Sequence, residues 1–126
     1  MGAWRIVRGS VATGVGDFAR WIAKLEGHYR AKTGMTLYPG TLNVWLEEPY
    51  DLPPQTIQLD KREYGGEVTV NIAPCRIFGR RAFILRPISR NPAEPAPPKL
   101  LEIATDVHLR STYGLKDGDT VEVDVL

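Results

Sequence analysis

The sequence predicts a mainly β protein, with about six or more strands forming a closed barrel or strongly curled sheet and one main α-helix outside it. Three observations predict this. Short runs rich in β-branched residues recur along most of the chain, several with alternating polarity. Glycine and proline punctuate the gaps between them. One clear helical pattern occurs, near residues 17–33. Many strands with a single helix are best satisfied by a sheet closed on itself.

The first strand is read in WRIVRGSVATGVG, bent at Gly9 and ending at Gly14 and Gly16. Phe18, Trp21, Ile22, Leu25 and Tyr29 then fall on one helical face. Asp17 is a good N-cap and Gly34 a good stop. Gly27 weakens this helix by roughly 1 kcal/mol relative to Ala. TLNVWL, from Thr41, is a strand, and PYDLPPQTI is a proline-punctuated loop. GGEVTVNIAPCRIF alternates Val68, Val70 and Ile72, and GRRAFILRPI follows after a turn at Gly79. NPAEPAPP, residues 91–98, suits an extended exposed loop. KLLEIAT resumes β, DVHLRSTYG is a short helix ended by Gly114, and KDGD is a tight turn. The last strand, TVEVDVL, puts Val121, Val123 and Val125 on one face.

The 126 residues are 43% hydrophobic, enough for a core, and show no repeat or internal boundary, so one domain over 1–126 is expected. Lys plus Arg number 16 and Asp plus Glu 15, a net charge of +1. That balance argues against nucleic acid or an anionic membrane as partner. The lone Cys75 excludes an intrachain disulfide, and no Cys/His spacing matches a zinc site. Without an apolar signal core or an eighteen-residue apolar run, a soluble cytoplasmic domain is the expectation, and it is taken as a monomer.

Three constellations could carry chemistry. TGVGDF, residues 13–18, places glycines before a helix N-terminus. This is either a tight strand-to-helix turn or a place where backbone N–H groups meet phosphate. It matches neither the Rossmann nor the Walker pattern. Thr41 and Asn43, two apart at the mouth of a strand, present two neutral oxygens to one point. They either satisfy the turn backbone or ligate a hard cation that also carries phosphate. Glu102 interrupts the apolar LLEIAT; it faces either solvent on the barrel exterior or a cavity that receives a polyol or base. Arg110, eight residues on, either neutralises phosphate or pairs with Asp106 at i,i+4. The remaining candidates read more plainly. His28 is a surface helix residue, His108 covers the barrel, and Cys75, Trp4, Trp21 and Trp45 are mainly core, although Trp45 on a rim could stack on a planar ligand. Arg76, Arg80 and Arg81 form a solvated basic cluster.

In order and spacing, G-x-G, YPGTLNV, RP and LEIAT…LR…GLKDGDTVEV resemble the CTP-dependent riboflavin kinase family, best known from archaea, over residues 6–126. The resemblance implies a six-stranded cradle-loop β-barrel. It implies transfer of the γ-phosphate of CTP to the primary ribityl hydroxyl of riboflavin, giving FMN and CDP, with Mg²⁺. By the same resemblance, Gly14, Val15, Gly16, Asp17, Phe18 and Ala19 would hug the nucleotide. Val107, His108, Leu109 and Arg110 would meet it through backbone groups. Thr41 and Asn43 would bind Mg²⁺. Glu102 would contact the flavin and orient or deprotonate the attacking hydroxyl. Two departures stand out. Phe18 occupies a position where the family usually has a small residue. After Pro87, Ser89 stands in for the family's flavin-contacting threonine. The alternative functions are a flavin- or nucleotide-binding barrel without turnover, and a DNA-binding module, because LRSTYGLKDGDTVEVDV also looks like half of a swapped-hairpin regulator.

Overall fold

A computed structural model describes residues 3–14, 18–88 and 98–126. Seven strands and three α-helices lie among the described residues. They are β1 (Arg5–Ala12), α1 (Phe18–Lys24), α2 (Glu26–Thr33), β2 (Leu42–Leu46), β3 (Ile57–Leu59), β4 (Val70–Ile77), β5 (Arg80–Pro87), β6 (Leu100–Ala104), α3 (Leu109–Tyr113) and β7 (Thr120–Val125). The order β4-β5-β6-β2-β1-β7 closes because β7 pairs back onto β4, giving a six-stranded antiparallel barrel. β3 pairs with Val70 and Ile72 of β4, on the stretch of that strand which β7 leaves uncovered.

Alternation divides the strands between two cores. Val11, Leu42, Val44, Leu46, Cys75, Ile84, Leu101, Ile103 and the three valines of β7 fill the barrel interior. Ile72, Phe83, Leu85 and Ala104 point the other way and pack under Ile22, Leu25 and Tyr29 of the helical segment. Burial pushes the Cys75 thiol up to about 12, consistent with a core role.

The expected single helix is two. Leu25 leaves helical geometry at φ −109° and ψ 28°, with Gly27 close by. The i→i−4 bonds nevertheless run through the joint, from Leu25 N–H to Trp21 C=O and from Tyr29 N–H to Leu25 C=O. The bend lets Ile22, Leu25 and Tyr29 all reach the curved barrel surface. Gly34 ends the second helix as expected, at φ 72°. The loop expected over PYDLPPQTI ends at Ile57, the first residue of β3; the three residues of β3 follow Pro53 and Pro54, and pairing rather than propensity makes them a strand. The tryptophans also differ from expectation: Trp4 and Trp45 are 40% and 50% exposed, and only Trp21 packs against a core.

Candidate active site

At one rim of the barrel the end of β1, the start of β2 and the end of β6 lie side by side. Asn43 is paired with Ala12 on one side and Glu102 on the other. Leu42, Val44, Leu101 and Ile103 point into the barrel, so Asn43 and Glu102 share its outer face. The Thr41 hydroxyl donates to Asn43 Oδ1 at 3.1 Å. Asn43, only 6% exposed, lies flat against Gly14. A Cβ on residue 14 would sit 2.5 Å from Asn43 Nδ2, so any larger residue there must displace the carboxamide.

Glu102 follows the exterior reading of the sequence, between the inward-pointing Leu101 and Ile103. It sits on the barrel exterior yet is half-buried, and no hydrogen bond to it occurs among the described residues. Burial therefore raises its pKa to about 7, where a carboxyl group can exchange a proton at neutral pH.

Arg110 does not pair with Asp106, its i,i+4 neighbour. Its guanidinium donates to Ala12 C=O at 3.0 Å and to Asp117, and Asp117 also accepts from the Thr13 hydroxyl. Those two hydrogen bonds hold Asp117 below the usual carboxylate range. Asp106 pairs instead with Arg80 at 2.9 Å. Arg110 thus ties the start of α3 to the end of β1, and the KDGD turn, read from sequence only as a turn, supplies the carboxylate. The basic cluster disperses: Arg76 lies over Trp4, and Arg81 donates to Thr33 C=O.

A small, shallow, open cleft lies beside this rim. Gly40, Thr41 and Leu42 form one wall; Ile103, Val107, His108, Leu109 and Arg110 form the other. Val107 and Leu109 also pack against the barrel core. His108 is exposed, with Nδ1 2.8 Å from Ser111 Oγ and its ring 5.1 Å from that of Tyr38. Sequence reasoning missed Tyr38 and Gly40, although both belong to the YPGTLNV run that it singled out. Phe18 packs toward the helical core and Ala19 is exposed on α1. Val15, Gly16, Asp17 and Ser89 lie outside the described residues.

The rim therefore assembles a paired hydroxyl and carboxamide, a titratable carboxyl and a cleft beside them. Ligand sites commonly lie in the mouths of β-barrels. The family model CTP-dep_RFKase, described as "Domain of unknown function DUF120", matches residues 11–125, and the chain belongs to that family. Curated relatives agree. A riboflavin kinase of Methanocella arvoryzae is 38% identical over 94% of this chain and 56% of its own length. One from Archaeoglobus fulgidus is 34% identical over 95% and 54%. One from Staphylothermus marinus is 27% identical over 93% and 88%. The chain spans about half the length of the first two.

Proposed function

We propose that this barrel transfers the γ-phosphate of CTP to the primary hydroxyl of the ribityl chain of riboflavin, producing FMN and CDP. The observation that carries the reading is the Asn43–Glu102 strand pair, which sets the Thr41–Asn43 oxygens beside a carboxyl group poised near neutrality. The Staphylothermus marinus relative supports it, because this chain matches nearly all of a protein that bears the name riboflavin kinase.

The residues fit a Mg²⁺ ion. The two oxygens are 3.1 Å apart, and neighbouring oxygens of an octahedral shell with bonds of 2.0–2.1 Å are about 2.9 Å apart. Thr41 and Asn43 would hold the ion, and phosphate oxygens and water would supply its other ligands, as is usual for Mg²⁺. Bound there, Mg²⁺ would neutralise phosphate charge.

The chain's own residues do the rest. Gly14 lets Asn43 lie against the backbone, and the Arg110–Asp117–Thr13 cluster holds the cleft wall to β1. The cleft receives the nucleotide between Gly40–Leu42 and Val107–Arg110. Glu102 orients the acceptor hydroxyl and takes its proton as the oxygen attacks. Phosphoryl transfer asks for little more than alignment and charge neutralisation. The net charge of +1 weighs against the DNA-binding reading, because phosphate contacts need several clustered Lys and Arg.

Thermal unfolding with Mg²⁺ and saturating ligand tests the binding half of this reading. A ligand at 100 times its Kd stabilises by about 2.7 kcal/mol. CTP and riboflavin are expected to raise the midpoint by several degrees and ATP to leave it unchanged. A shift with ATP and none with CTP would contradict the donor assignment.

A further inference from the structure

Trp45 lies on β2 two residues beyond Asn43, on the same outer face, and is half exposed. The other two tryptophans have partners. Trp4 lies under the Arg76 guanidinium at 4.7 Å. Trp21 meets Tyr64 at 6.3 Å and carries Arg20 and Lys24 over its ring. Among the described residues Trp45 has no such ring or cation contact. Its cross-strand neighbours are Leu100 on β6, which is half-buried, and the small Ser10 on β1. The register makes Trp45 and Glu102 diagonal neighbours across β2 and β6, a relation that spans roughly 7–8 Å and lies within reach of an aromatic side chain.

A bare indole beside a proton-accepting carboxylate suits an acceptor with a flat ring at one end and a hydroxyl at the other. Two strand residues span about 6.6 Å, comparable to an extended five-carbon polyol. With the terminal hydroxyl at Glu102, the polyol lies along β2 and its ring reaches Trp45. We propose that Trp45 is the stacking platform for the planar heteroaromatic ring of the acceptor and selects ring-bearing polyols over bare ones. The inference rests on the kinase reading of the same face.

The test uses the full chain, with riboflavin as substrate and lumiflavin, the same ring without the polyol, as a binding probe. Stacking on an aromatic side chain is commonly worth tenfold or more in affinity. Trp45→Ala is expected to raise the riboflavin KM about tenfold, with kcat and the KM for CTP changed less than twofold, and to weaken lumiflavin binding in parallel. Trp45→Phe keeps a stacking ring, so its riboflavin KM stays within about threefold. Flavin emission is expected to be quenched on binding to the wild type and recovered in Trp45→Phe, because indole quenches flavin on contact and phenyl does not. An unchanged riboflavin KM in Trp45→Ala, or full quenching in Trp45→Phe, overturns the proposal while leaving the kinase reading intact. A wild-type protein that neither phosphorylates riboflavin nor binds lumiflavin overturns both.

Discussion

The double substitution Thr41→Val with Asn43→Leu is expected to lower FMN formation about a thousandfold or more, the scale on which loss of charge stabilisation acts in transfer reactions. Both changes keep side-chain size and remove the two oxygens that lie 3.1 Å apart. The fold should survive, because the pair sits on the outer face and gives up one hydrogen bond worth about 1 kcal/mol. Gly14→Ala makes the same point by displacement. Its Cβ would press on Asn43 Nδ2 from 2.5 Å, and an ångström-scale shift of that amide is expected to cost about a hundredfold. Steady-state rates over a Mg²⁺ titration check both. Wild-type turnover by the double variant would remove Thr41 and Asn43 from any metal role.

Glu102→Gln is expected to slow transfer by about a hundredfold to ten-thousandfold and to abolish the pH dependence near neutrality. The wild-type carboxyl titrates at about 7, so kcat/KM should climb through pH 7 as the carboxylate forms and then level off. The same burial predicts a stability effect of opposite sense. The folded-state pKa lies above the ordinary 4.5, so the folded protein holds the proton more tightly than the unfolded chain. The favourable contribution is complete below pH 4.5 and is lost as pH rises to about 7 and beyond. Allowing for partial solvent exposure, the loss amounts to roughly 1–2 kcal/mol. Glu102→Gln escapes it. The variant should therefore unfold at higher denaturant than wild type at pH 8 and show no such advantage at pH 4. A rate profile that is flat from pH 6 to 8 in the wild type would remove Glu102 as the proton acceptor.

Much of this was legible in the chain. The alternation in TVEVDVL and in the strands around Gly79 is a direct consequence of a face buried in the barrel, and those strands appear where the pattern puts them. The spacing of Thr41 and Asn43 announced two oxygens at one point, and their side chains meet. What sequence could not supply was decided across strands. Three residues of β3 become a strand only because β4 offers an open edge. The break at Leu25 answers to the curvature beneath it, which no helical spacing records. Arg110 was weighed against a phosphate and against Asp106, its i,i+4 neighbour. Its actual carboxylate partner, Asp117, lies seven residues on, beyond the short helix that Gly114 ends. Trp45 looked like core because tryptophan usually is; which face it occupies depended on the register with β1 and β6.

The most direct test of the central claim is the transfer itself. Purified protein would be incubated with riboflavin, Mg²⁺ and either CTP or ATP, and flavin and nucleotide products separated by chromatography. The account predicts FMN and CDP in equal amounts with CTP and no FMN with ATP. FMN from ATP alone would contradict the donor. No FMN from either nucleotide, with protein shown to be folded, would contradict the kinase reading of this barrel.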